Sequence, residues 1–430
     1  MNSISFKKGS FCGRCRKSKE DLRLQSMRIC SRCQIARYCS KECQRKDFQS
    51  HKVDCKWVGH FHDIMPRIEK NLRNWKEDGR SRPVNLFETQ IGDFCGLNNR
   101  MYWDPPKSKL LKDIWPRDYM RRRCRMAEGM WEIARKHESY ESTQDVLALV
   151  LATLRLDFFD RYAVKEMVVF MFLYLGREDD AFYFLKFWCG PKAGTTAGFM
   201  QKPTGKELCP EEFGSLPEGE WFHAETGNKL EDIFCKCCNP GPYTGPMGLL
   251  VALIGIKVRI LLELKQLPSS YKLVNEMLTK EYCNPVCRKD KKNHVNGCNF
   301  ANISRKEVIM STKGQLEACL DHVNKHNPSM LPGLLHPKPL LAKPVPTMVN
   351  DAGPTGAHIV LINAWKYFDM LPHEGKQIIS DFLFPKLPKW LPYPEYKIDE
   401  DERCFMGNMH YQTGYVRNYV NPNANTMQFD

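Results

Sequence analysis

Residues 12–55 read CGRCRKSKEDLRLQSMRICSRCQIARYCSKECQRKDFQSHKVDC. Their ligand-type side chains fall as Cys12-x2-Cys15-x14-Cys30-x2-Cys33-x5-Cys39-x3-Cys43-x7-His51-x3-Cys55, which is four close pairs. A zinc ion takes four Cys or His ligands in a tetrahedron, so this series predicts two Zn2+ ions. Each Cys-x2-Cys makes a knuckle that presents two thiolates to one ion. Cys39 and Cys43, and likewise His51 and Cys55, are one helical turn apart and share a helix face. So short a stretch cannot bury enough apolar surface to fold alone. Metal must hold it, and each structural zinc contributes on the order of 10 kcal/mol of apparent binding energy.

Within this series stand Cys30-Ser31-Arg32-Cys33, Ala36-Arg37-Tyr38-Cys39-Ser40, Cys43-Gln44, Asp47-Phe48 and His51-Lys52. On these positions the segment resembles the MYND family of zinc fingers, over about a tenth of the chain. The resemblance implies a cross-braced arrangement. Cys12, Cys15, Cys39 and Cys43 would hold one zinc, and Cys30, Cys33, His51 and Cys55 the other. It also implies capture of short Pro-rich peptides of Pro-x-Leu type along an exposed strand, with Ser31, Gln44 and Phe48 as the peptide-binding residues. The family usually has Trp where this chain has Phe48. Phenylalanine keeps the apolar wall and loses the indole donor.

The rest of the composition describes a globular protein: 430 residues, 42% hydrophobic and 27% charged. Two or three domains are expected at this length. Of the 19 cysteines, seven lie in the first 55 residues. No apolar run follows Lys7 and Lys8, so no secretory signal is expected. The clustered thiols are read as metal ligands in a reduced protein of the nucleus or cytoplasm. The longest apolar runs, Met167 to Leu175 and Met247 to Ile256, fall short of the roughly 20 residues a membrane span needs. The net charge of +14 is concentrated, with 15 Lys/Arg against 5 Asp/Glu in residues 1–60. Two zinc ions with seven thiolates lower the finger to roughly +7.

Downstream, the pattern becomes helical. Tyr119, Cys124, Met126, Ala127, Met130, Trp131 and Ala134 recur at three-to-four spacing after Pro116. Helices are predicted over 144–156, 163–175 and 179–189, the last two joined by Gly176-Arg177-Glu178 as antiparallel neighbours. Further helices are predicted over 246–266, 271–278, 314–326, 357–370 and 373–384, with 332–354 extended and Pro-rich. Leu154 to Trp188 resembles one tetratricopeptide unit, with no clean second copy. The expected fold is therefore a small zinc-stabilised finger followed by a mainly α-helical, solenoid-like domain. Its divisions are the finger at 1–60, a mixed linker at 61–115, the TPR-like helical domain at 116–384 and a Pro/aromatic-rich tail at 385–430. An irregular Cys/Pro/Gly-rich insertion occupies 190–245.

Other constellations carry less. Asn293-His294 and Cys298 faintly resemble an element of SET methyltransferases, some of which carry MYND fingers. Those enzymes insert the finger within the catalytic domain. Here eleven residues precede Cys12, too few for that leading segment, and no enzyme is expected. Cys283, Cys287, His294 and Cys298 have tolerable spacing for a third zinc, although idle thiols are the expected reading. The run Val168 to Tyr174 is apolar all round and predicts a buried central helix. There is no P-loop, Gly-x-Gly-x-x-Gly or Gly-x-Ser-x-Gly. The whole-chain pattern is similar to a group of MYND-finger proteins with a helical, TPR-like partner region. The sequence thus predicts a zinc-binding protein-interaction adaptor with no specific nucleic-acid partner and no membrane. Its alternatives are a SET-like methyltransferase, a basic-finger nucleic-acid binder and a helical scaffold capped by its finger.

Overall fold

The computed structural model describes residues 9, 11–73, 76–77, 80–81, 116–156, 160, 163–189, 229–230, 232–233, 246–266, 305–346, 349–383 and 385. They fall into two compact units, one ending at Gly176 and the other beginning at Arg177.

The first unit starts with two knuckles of like build. Arg16 N donates to Cys12 O and Gln34 N to Cys30 O, both at 2.9 Å. Each of these residues follows the second cysteine of its pair and turns the chain through positive φ, 61° at Arg16 and 58° at Gln34. Between the second knuckle's arms, β1 (Arg28–Ile29) pairs antiparallel with β2 (Arg37–Tyr38). Ser40 then caps a 33-residue helix, α1 (Lys41–Arg73), its Oγ accepting from Cys43 N at 3.1 Å. The helix runs straight through residue 60 and carries Pro66 inside it. A two-residue ribbon follows, β3 (Lys76–Glu77) with β4 (Arg80–Ser81).

Helix α2 (Pro116–Lys136) packs antiparallel on α1. The register is visible in three places. Lys136 meets Asp54 at 2.7 Å, Gly129 lies against Trp57 and Val58, and Tyr119 Oη donates to Glu69 at 2.6 Å. The buried stripe Val58, Phe61, Met65 and Ile68 of α1 supplies the apolar side of this contact. Ser139 then starts α3 (Tyr140–Leu156), its Oγ accepting from Ser142 N at 3.2 Å. Helix α4 (Lys165–Tyr174) is buried from Glu166 to Tyr174, as its all-round apolar sequence predicts.

The second unit is built on α6 (Met247–Gln266), whose apolar residues are buried on every side. Around it pack α5 (Glu178–Cys189), α7 (Arg305–His326), α10 (Pro354–Asp369) and α11 (His373–Leu383). Close approach is allowed by Gly255, which lies against Tyr367, and by Gly375, which lies against Val258 and Leu262. Buried Lys257 donates to Lys229 O at 2.7 Å and lies over the Phe182 ring. Asn327, fully buried, ends α7 and donates to Asp351 O and Gly353 O, which ties down the start of α10.

Two expectations are corrected. The segment 332–354 is not extended throughout: it holds the end of α8 (Met330–Leu335) and all of α9 (Lys338–Leu341). Pro332, Pro337 and Pro339 sit in or just before first turns, where a missing N–H costs nothing. Helix α7 starts at Arg305, nine residues before the expected Gly314, which is a mid-helix glycine with open space beside it. Among the described residues the second part of the chain is mainly α-helical, and no repeat pattern of a solenoid is visible in it. Residues 74–75, 78–79 and 82–115 of the linker, most of the 190–245 insertion, the 271–278 helix, the Cys283–Cys298 cluster and the tail beyond 385 lie outside the described residues.

Candidate metal centre

The eight predicted ligands come together as two sets. Cys12, Cys15, Cys39 and Cys43 form one, and Cys30, Cys33, His51 and Cys55 the other, with all ligand atoms of a set within 4.8 Å of one another. Pairs one and three make the first set and pairs two and four the second, so the two sites are cross-braced. In each set a knuckle supplies two thiolates, and α1, with its lead-in at Cys39, supplies the other two ligands, Cys39 and Cys43 in one set and His51 and Cys55 in the other.

The donor spacing fits zinc. A tetrahedron with Zn–S bonds of about 2.3 Å has edges of about 3.8 Å. Cys15 and Cys39 Sγ lie 3.7 Å apart, Cys39 and Cys43 3.5 Å, Cys30 and Cys55 3.6 Å, and Cys33 Sγ lies 3.5 Å from His51 Nε2. All seven finger cysteines are free thiols rather than disulfides. The sets differ in exposure. Every ligand of the Cys30 set is buried, whereas Cys15 is exposed and Cys39 and Cys43 are half-buried.

Behind His51 lies a polar layer that the sequence did not announce. Asp47, His51 and His137 place ligand-type atoms within 4.8 Å of one another, all buried. Asp47 accepts from Tyr38 Oη at 2.7 Å and from Ser50 Oγ at 2.9 Å, and faces His137 Nε2 at 3.2 Å. With His51 Nε2 beside Cys33, this group reads as the outer layer of the Cys30 site rather than a third ion. Burial raises the Asp47 carboxyl, but the hydrogen bonds from Tyr38 and Ser50 and the nearby His137 outweigh it and hold the group below the usual range. Burial pushes the His137 imidazole down to about 4, against the pull of Asp47. A neutral imidazole therefore donates from Nε2, and His137 Nδ1 is buried with no hydrogen-bond partner among the described residues.

His137 belongs to the corner between α2 and α3, and that corner grips the finger at several points. Arg16 donates to Lys136 O and His137 O. Ser142 Oγ donates to Ile35 O at 2.8 Å, and Arg37 pairs with Asp145 at 2.8 Å and Glu141 at 3.3 Å. Gly13 is required here because a Cβ would clash with the His137 ring. No local signal marks residue 137, which stands 82 positions beyond the last ligand.

The three residues singled out for peptide binding differ in exposure. Phe48 is 54% exposed and Ile29 49%. Ser31 is exposed in the second knuckle, and Gln44 is half-buried one helical turn before Phe48. Gln44 and Phe48 thus share a face of α1, while no hydrogen bond among the described residues joins Ser31 to either.

A small cross-braced two-zinc finger followed by helices is the class this geometry defines. Residues 12–55 match the zf-MYND family, described as the MYND finger. Over 55 residues the chain is 38% identical to SET domain-containing protein 14 of Caenorhabditis elegans, covering 13% of this chain and 12% of that protein. Over 49 residues it is 47% identical to Histone-lysine N-methyltransferase SMYD3 of Homo sapiens, covering 11% and 10%. The chain therefore spans about a tenth of the length of these curated relatives. No solved structure matches it. Among the described residues the fold is mainly helical, unlike the β-rich fold of SET methyltransferases. No helix among them is long and apolar enough to cross a membrane.

Proposed function

We propose that this protein is a zinc-dependent adaptor whose finger captures short Pro-rich peptides, with the helices offering a second partner a TPR-like surface. The observation that carries the reading is the one-sidedness of the finger. β2 is covered, since Gly13 N donates to Arg37 O and the Arg37 side chain is held by α3. Among the described residues nothing pairs with the outer edge of β1, and both Ile29 of that strand and Phe48 of α1 are about half exposed. An extended peptide adds to such an edge through its main chain. Proline lowers the ordering cost of binding because its backbone is already restricted. Phe48 gives its rings an apolar wall, and Gln44 and Ser31 supply polar contacts. The reduced thiols fit a nuclear or cytoplasmic setting.

Titration of the zinc-loaded chain with a Pro-x-Leu-x-Pro peptide tests this. Affinity on the order of 10–100 µM is expected for so small a contact. Phe48→Ala abolishes binding and leaves zinc content unchanged, while Phe48→Trp preserves or strengthens it. Absence of binding at millimolar peptide would leave the second reading, a finger that serves as a structural cap on α2 and α3. The grip of Arg16, Arg37 and Ser142 on that corner favours this alternative.

A further inference from the structure

The three acids that the finger places on α1 are all engaged, and most of its bases there are not. Between Asp21 and Asp63 the carboxylates are Glu42, Asp47 and Asp54. Glu42 pairs with Lys46 at 2.7 Å, Asp47 is held by Tyr38, Ser50 and His137, and Asp54 pairs with Lys136 at 2.7 Å. Lys41, Arg45, Lys52 and Lys56 on α1 and Arg28 on β1 are all exposed, and none forms an ion pair among the described residues.

Their placement is ordered. At 3.6 residues per turn, Lys41, Arg45, Lys52 and Lys56 fall within about 20–80° of Phe48, all to one side of it. To its other side lie the buried Asp47, His51, Cys55 and Val58. Phe48 therefore stands at the seam between the finger's interior and a stripe of four cations. The zinc sites offset only part of the finger's positive charge: three thiolates around one Zn2+ leave about −1 at the Cys30 set, and four leave about −2 at the Cys12 set.

From this arrangement we infer that the captured peptide is acidic, with Asp or Glu residues flanking its proline core. The inference rests on the peptide-binding reading above. In that reading Ile29 and Phe48 hold the apolar core, and the cations next to Phe48 on α1 meet the residues that flank it. A nucleic acid would use the same charges but has no main-chain donors to match an open strand edge. Exposed ion pairs are individually weak and screened by salt, so charge here selects the partner and speeds its encounter more than it anchors it.

The test uses the zinc-loaded full chain and two peptides sharing one Pro-x-Leu-x-Pro core, one with Ser/Gly flanks and one with Asp/Glu flanks. The acidic peptide binds roughly tenfold tighter at low salt, and the gap closes as salt rises. The double reversal Arg45→Glu/Lys52→Glu brings the acidic peptide to the level of the neutral one or below and leaves the neutral peptide unchanged. Phe48→Ala removes both. Equal, salt-independent affinity for the two peptides overturns the acidic flank and leaves peptide capture standing. If neither peptide binds, peptide capture itself is overturned. An oligothymidylate that binds more tightly than the acidic peptide at physiological salt overturns the inference in favour of single-stranded nucleic acid.

Discussion

Replacing His137 with alanine tests the link between the helical corner and the Cys30 zinc site. The imidazole is buried, donates to the Asp47 carboxylate across 3.2 Å, and packs edge-on against Tyr38 and tilted against His51, each with ring centroids 5.8 Å away. Removal deprives an ionised acceptor of one partner, a loss of about 1.5–3 kcal/mol. It also opens a cavity beside Gly13 worth about 1–2 kcal/mol. The two overlap, so a destabilisation of about 3 kcal/mol is expected. Losing an outer-layer partner typically weakens metal binding 10–100-fold. Asp47 keeps Tyr38 and Ser50, so the low end, about tenfold, is expected at the Cys30 set and little change at the Cys12 set. Cobalt distinguishes the two, because four thiolates and three thiolates with an imidazole give different ligand-field bands. Competition between cobalt-loaded protein and a chelator then reads each site separately. His137→Gln, which keeps a side-chain donor, recovers part of the loss. Equal weakening at both sites, or none at either, would refute the assignment of His137 to the outer layer of one site.

The full chain binds two zinc ions by metal analysis, plus one more only if the Cys283–Cys298 cluster takes part. A chelator strips them in two phases, the Cys12 set first because Cys15 is exposed and Cys39 and Cys43 are half-buried; loss of the Cys30 set first would contradict this order. Gly129→Val places a Cβ 2.8 Å from Trp57 and Val58 atoms and should cost about 1–3 kcal/mol by overpacking, read as a lower Tm. In the second unit, burial pushes the Glu178 carboxyl up despite its pairing with Arg259. Glu178→Ala leaves that guanidinium, as its only carboxylate among the described residues, the partly exposed Glu263 at 3.4 Å, and a loss of about 3 kcal/mol, the low end for breaking a buried pair, is expected in chemical denaturation. DNA binding by the chain is weak, falls steeply with salt and shows no preferred sequence in a mobility-shift series.

The ligands were legible because their chemistry is local. Cys-x2-Cys and x3 spacings state which atoms reach one ion, whatever surrounds them. The helices were legible where apolar residues recur at 3.6 spacing, as in α2, or saturate a segment, as in α4. What escaped depends on long-range placement. Nothing near His137 in sequence shows that Asp47 lies opposite it. Lys136-His137-Glu138-Ser139 reads only as a helix end followed by the capping serine of α3. The continuity of α1 was hidden in another way. Its first turns are patterned by zinc ligands and its later ones by Val58, Phe61, Met65 and Ile68, and two different reasons for the same period look like two segments. The short α8 and α9 escaped because proline density was read as extension, although proline is equally at home in a first turn.

The docking of the finger and its open face have one electrostatic cause. To fasten the finger, the α2–α3 corner engages Asp54 through Lys136 and Asp47 through His137, and it answers Arg37 with Glu141 and Asp145. Each of these contacts lies on the covered side. Lys136 neutralises Asp54, and Asp47 is buried on the covered side, so neither acid pairs with the stripe from Lys41 to Lys56. A finger detached from that corner would expose Asp47 and Asp54 and lose much of this polarity. The helices following the finger thus do more than support it. They determine which of its faces is covered and which stays open.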